Sequence, residues 1–218
     1  MTTFDDSSDI ASGARRTPGN AGPETNENNK NRRAPAKPML LLGEILLTGT
    51  AGWKQLRRAR LTPEKAAAGC FYPLLAIGAV AQFADWIYMP EFNIASTLVS
   101  AAVFFASFFF SYFAVQVVCK WLYPTEAKSK TETNFFKLIV QYALASLALF
   151  CIPTKILPIL TPIAVFLPIW TIFIITKAVR FLRLPSSCQT RCMVTLVLAT
   201  IIMPYLFMWI GSLLANNQ

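Results

Sequence analysis

No histidine occurs among the 218 residues. That excludes His-based general acid–base catalysis, Ser-His nucleophilic arrangements and His-ligated metal or haem centres. Charge is scarce as well, at 14% of residues, where a soluble domain carries roughly a quarter. No glycine-rich phosphate loop is found. The five cysteines, Cys70, Cys119, Cys151, Cys188 and Cys192, are odd in number and form no paired framework. Three of them sit in or beside apolar runs, where a thiol behaves as a small hydrophobe. The spacing of Cys188 and Cys192 lacks the further His or Cys pair that a zinc site needs. Neither a metal nor a cofactor is expected, and a catalytic role finds no clustered carboxylate, Lys, Cys or Tyr.

What the chain has instead is apolar sequence, 55% of residues with a mean hydropathy of +0.47. The excess lies almost wholly beyond Met39. Crossing a bilayer takes about 20 mostly apolar residues, because a helix rises about 1.5 Å per residue. Inside lipid the backbone must satisfy its own hydrogen bonds, and continuous runs of this length favour helices over barrel strands. The expected fold class is therefore all-α, a polytopic integral membrane protein with five transmembrane helices. The spans are expected at about 66–88, 94–119, 135–152, 156–176 and 193–215.

Residues 1–38 hold six Lys/Arg, five Asp/Glu and almost no large apolar group besides Phe4 and Ile10. Such a segment cannot offset the entropy of ordering itself and reads as a disordered tail. It has no signal-peptide pattern. Residues 39–62 form a basic interfacial or juxtamembrane segment. Its apolar stretch is too short to span, and Trp53, Leu56 and Leu61 alternate with Lys54, Arg57, Arg58 and Arg60. A helix lying on the membrane surface and a solvated juxtamembrane segment fit that pattern equally. The membrane domain, 63–216, opens on Thr62-Pro63-Glu64, a helix-start signature of cap, first-turn proline and acid. The first span ends in Trp86, Tyr88 and Pro90, and the second in Trp121 and Tyr123, both resembling interfacial belts.

Thirteen Lys and Arg flank one side of the predicted spans, against Lys155 alone on the other, whose first loop carries Asp85 and Glu91. The positive-inside rule then predicts a cytoplasmic N-terminus and a C-terminus outside. This asymmetry accounts for the net charge of +9 and suits contact with anionic lipid headgroups. Nucleic-acid binding is not expected, because no recognition motif accompanies the charge.

Within the spans the polar groups are few. Asp85 and Lys155 lie near span ends and fit interfacial placement better than an ion pair. Gln82, Gln116 and Gln141 are expected to hydrogen-bond to neighbouring helices. Ser96, Ser100, Ser107, Ser111 and Ala114 share one face of the second span amid a phenylalanine cluster, a packing surface within the protein or between copies. Pro73, Pro158, Pro162, Pro168 and Pro204 are kink candidates, since each removes a helical hydrogen bond. Three of them fall in the fourth span, a pattern that also occurs where broken helices line a transport path.

Gly52-Trp53 followed by basic residues, Phe71-Tyr72-Pro73-Leu74-Leu75, Cys151-Ile152-Pro153, the stretch from Lys177 to Arg183, and Pro204 together resemble bacterial members of the YIP family of Ypt/Rab-interacting membrane proteins. The resemblance covers roughly 50–216. It implies a five-span YIP domain with the N-terminus in the cytoplasm and the C-terminus outside. The Asp-Leu-Tyr-Gly-Pro signature of eukaryotic members is not found in this sequence. A Rab-type GTPase partner is therefore not expected, and a bacterial inner-membrane location is. The expected function is non-enzymatic: membrane organisation or scaffolding through a homo-oligomer or another membrane protein. The alternative is a transporter or channel component built on the fourth span. A lipid-modifying enzyme ranks below both.

Overall fold

A computed structural model describes residues 37–88, 93–122, 130–160, 162, 166–182 and 186–216. The tail expectation, Glu91 and the side chains of Asp85, Cys119 and Trp121 lie outside the described residues. Every regular element among them is helical: α1 (Pro38–Thr48), α2 (Thr50–Ala59), α3 (Pro63–Tyr88), α4 (Ile94–Leu122), α5 (Lys130–Ile156), α6 (Leu167–Val179) and α7 (Ser186–Asn216).

Among the described residues four helices are long and apolar enough to cross a membrane, namely α3, α4, α5 and α7. At about 1.5 Å per residue, their apolar stretches of 25 to 27 residues exceed the roughly 30 Å of a hydrocarbon core. The described residues of the fourth predicted span, 156–176, hold no helix of that length. The helix α5 runs on through Pro153 to Ile156, and Pro158 opens a short 3₁₀ turn that ends at Leu160. Pro162 is exposed, and α6 begins only at Leu167, with Pro168 in its first turn. The physical reason is additive. Each proline withholds a backbone donor and clashes with the preceding turn, so closely spaced prolines end one helix and start another instead of bending one.

Pro73 follows a different solution. Residues Ala67–Phe71 form a π turn directly before it, and the Tyr72 N–H reaches back to the Ala67 carbonyl. The wider turn accommodates the proline ring without ending α3. Pro204 lies buried inside α7.

The helices alternate in direction. Phe71 and Tyr72 of α3 meet Tyr112 and Phe109 of α4, while a Cβ on Gly78 would overlap the Phe104 ring. Residue numbers rise along one helix as they fall along the other, so α3 and α4 are antiparallel. The same holds for α4 and α7, where Val103 meets Gly211 and Phe110 meets Phe207. Tyr88 at the end of α3 donates to the carbonyl of Ile156 at the end of α5, 2.6 Å away, so these two run the same way. The described basic residues, Lys155 apart, gather at the end shared by the start of α3, the end of α4 and the start of α5.

Burial is uneven. In its most apolar stretch α5 is 72% buried, whereas α7 is 22% buried. The helix α5 is thus the central one. The helix α7 packs chiefly on α4 and α6 and turns Leu198, Ile202, Trp209 and Leu213 outward.

Candidate functional site

The short helices α1 and α2 form a hairpin whose tip is Gly49, at φ +55°, a backbone conformation that glycine adopts at low cost. The arms touch closely: a Cβ on Gly52 would lie 2.6 Å from the Ile45 nitrogen. Sequence explains the two faces of α2. Gly52, Trp53 and Leu56 are buried on one side, and Lys54, Gln55 and Arg58 are exposed on the other, at the three-to-four residue spacing of an amphipathic helix.

That buried face meets protein. Trp53 is fully buried and donates from Nε1 to the Ile174 carbonyl of α6 at 3.2 Å. Its ring stands edge-on to Phe135 and Tyr142 of α5, with centroids 6.4 and 6.2 Å apart, the geometry aromatic quadrupoles favour. One turn along, Arg57 pairs with Glu132 at 2.7 Å, donates to the Phe181 carbonyl at the end of α6, and lies 5.4 Å from the Phe135 ring centroid. On α1, Leu41, Leu42 and Ile45 are buried, and the Pro38 carbonyl accepts from the Tyr142 hydroxyl at 3.1 Å. The segment 39–62 is a helical hairpin whose apolar face is spent on α3, α5 and α6, with aromatic and ionic partners that lie far along the chain where local pattern cannot show them.

Two crevices flank the linker from α2 to α3. One, about 390 Å³, is lined by Arg57, Arg60, Thr62, Thr131, Glu132 and Asn134 over an apolar floor that includes Leu61 and Phe135. The other, about 480 Å³, is lined by Arg60, Thr62 and Lys65 together with Pro38, Ala59, Ala68 and Gly69. Arg60 is common to both and holds a left-handed backbone at φ 48° and ψ 38°, an uncommon state for a residue with a side chain. The Thr62 hydroxyl accepts from the Lys65 N–H at 3.5 Å and caps α3.

The serine and glutamine candidates are distributed as follows. Ser107 and Ser111 are buried and donate to carbonyls one turn back on α4, both at 2.6 Å. Ser100 is exposed and bonds to the Ser96 carbonyl. Gln116 and Gln82 likewise donate within their own helices, to Tyr112 and Gly78. Gln141 alone of the three glutamines reaches a neighbouring helix, donating to the Tyr112 hydroxyl at 3.1 Å. Its Oε1, with Thr171 Oγ1 and Thr200 Oγ1, is buried without a hydrogen-bond partner. Thr200 is also the residue four before Pro204, so its carbonyl is denied the usual helical donor.

Sequence reading singled out none of Glu132, Phe135, Tyr142 or Ile174 as partners of the 39–62 segment. One signal was available: Glu132 is the single carboxylate of α5, near Lys128, Lys130 and Lys137 in sequence. Among the described residues no group of acidic, His and Cys side chains could hold a metal.

Comparison with protein-family models, with curated proteins and with solved structures finds no match to this chain.

Proposed function

We propose that the chain is a non-enzymatic, multi-pass membrane protein of the YIP type that organises membrane or partner proteins. In this reading it crosses the bilayer five times, the fourth passage being α6 with its proline-interrupted lead-in. Direction supports this reading: α5 and α7 both run antiparallel to α4, and the end of α5 meets the start of α6. The basic end faces the cytoplasm of a bacterial cell, with the N-terminus there and the C-terminus outside. A Rab-type GTPase is not its partner.

The observation that carries the reading is the contrast between α5 and α7. A bundle already packed around α5 leaves the outer face of α7, with Leu198, Ile202, Trp209 and Leu213 at helical spacing, for lipid or a second membrane helix. Ser107 and Ser111, buried within the chain, are not available for that contact. In-membrane photo-crosslinking from Ile202 and Trp209 tests this. A discrete homo-oligomer or one specific partner supports scaffolding, and lipid adducts alone count against it. Orientation is tested separately by labelling a cysteine at Arg58→Cys or Leu214→Cys in a background without the native thiols. Labelling of the first from outside intact cells reverses the assignment.

The transport reading keeps one specific observation in its favour. The unpartnered buried oxygens of Gln141, Thr171 and Thr200 lie on α5, α6 and α7, the broken passage and the helices before and after it. Buried polar atoms of this kind call for water or a ligand. Solute flux in proteoliposomes, lost on Thr171→Val and Thr200→Val together, would favour transport over scaffolding.

A further inference from the structure

The crevice between the start of α1 and the first turns of α3 has an amphiphilic lining. Arg60 and Lys65 supply the cations, with Thr62 between them in sequence, and Pro38, Ala68 and Gly69 supply apolar surface. Close in sequence to Pro38 and Gly69, Met39 and Leu40 of α1 and Tyr72 of α3 are exposed apolar side chains.

The two cations are uncommitted. Arg57 is bound to Glu132 and to the Phe181 carbonyl, but neither the Arg60 nor the Lys65 side chain has an ion pair or hydrogen bond among the described residues. Glu64, next to Lys65 in sequence, lines neither crevice. Arg60 lines both crevices and holds an unusual backbone state, and such states are held only where surrounding structure determines them.

We propose that this crevice binds one anionic phospholipid, its phosphate at Arg60, Thr62 and Lys65 and the upper part of an acyl chain on Pro38, Ala68 and Gly69. The assignment follows from complementarity. Guanidinium and ammonium groups with a hydroxyl match phosphate oxygens. The apolar half of the crevice distinguishes a lipid from a free phosphate, which would gain nothing from it. The site rests on the reading that this end of the bundle lies at a bilayer interface. It sharpens general attraction of basic flanks to anionic lipid into one bound molecule.

The experiment is native mass spectrometry of the full chain released from nanodiscs of mixed phosphatidylglycerol and phosphatidylcholine. The wild type retains one phosphatidylglycerol in preference to phosphatidylcholine. Arg60→Gly removes the guanidinium while suiting the left-handed backbone, so folding is preserved. Combined with Lys65→Gln, it lowers retention about tenfold. Ala68→Trp leaves every charge in place but fills the apolar half, and it lowers retention comparably. Lys54→Gln with Arg58→Gln removes two exposed charges outside the crevice and leaves retention near the wild type. Equal loss in both charge pairs, or unchanged retention in Ala68→Trp, overturns the site. Displacement of the bound lipid by millimolar inorganic phosphate shows a soluble-anion site instead and overturns it too. Release of the chain by alkaline carbonate would sink the membrane reading itself. A chain that stays in the membrane with unaltered lipid preference sinks only this site.

Discussion

Replacing Trp53 by alanine distinguishes a docked hairpin from a helix resting on the lipid surface. The indole is 0% exposed. A large aromatic buries about 150–250 Å², and at about 25 cal/mol per Å² this amounts to about 4–6 kcal/mol. Part of that is regained because the unfolded reference places the side chain in an interface and not in open water. The measured range for large aromatic truncations, about 3–5 kcal/mol, is the better figure. Trp53→Phe keeps most of the area and loses the bond to Ile174, 3.2 Å in length. It costs about 1–2 kcal/mol, since the Ile174 carbonyl keeps its own helical donor. In a chain of this size about 1 kcal/mol shifts the midpoint by roughly 2–4 °C. Alanine is therefore expected to lower the thermal midpoint on the order of 10 °C, and phenylalanine a few degrees. The assay is size-exclusion of detergent-solubilised protein after a heating series. Limited trypsin digestion accompanies it, because a released hairpin can unwind and offer the backbone at Arg57 and Arg58 to the protease. An alanine variant with the wild-type midpoint and wild-type digestion refutes the docking argument.

The Arg57 and Glu132 side chains are 32% and 18% exposed, so a double-mutant cycle should give a coupling of about 1 kcal/mol by the same thermal assay. Zero coupling would make the pair incidental. At Gly52 an added methyl meets the Ile45 and Glu44 backbone, not a movable side chain. Gly52→Ala should cost about 1–3 kcal/mol and should raise tryptic cleavage at Arg58; unaltered digestion would count against the tight hairpin. Gly78→Ala drives into the Phe104 ring and should cost a similar amount. Adding Phe104→Leu should recover part of the loss, and strictly additive losses would contradict that contact.

Much of the helical plan was legible in hydropathy alone. The runs at 66–88, 94–119 and 193–215 correspond to α3, α4 and α7 within a few residues at most ends, because a long apolar run in a chain of this composition leaves the backbone few alternatives. Resolution was lost at the prolines. Pro153 was read as a helix end, yet α5 continues past it, with the Leu157 N–H returning to the Pro153 carbonyl at 2.8 Å. Pro73, a kink candidate, is preceded by a π turn that hydropathy could not show. Proline states only what its own residue cannot donate, and the neighbouring turn decides the outcome. The cluster around Trp53 was illegible for another reason. Its partners stand between 82 and 121 positions away, and a Trp beside arginines looks the same on a membrane surface as in a protein core. Gln141 was marked as a cross-helix donor, but nothing in its run distinguished it from Gln116, which turns back on its own helix.

The pairing of α4 with α7 sets a schedule for biosynthesis. The helix α4 is complete at Leu122, but the partner that covers Val103 and Phe110 is finished only at Asn216. At roughly 5–20 residues per second the ribosome needs roughly 5–20 s to supply it. Through that interval the α4 face must wait in the bilayer, already held by α3 on its other side. In a bilayer the final helix then closes a half-covered bundle in a step separable from insertion. A ribosome stalled before α7 would leave that face as the place where quality-control proteases or membrane chaperones engage the chain.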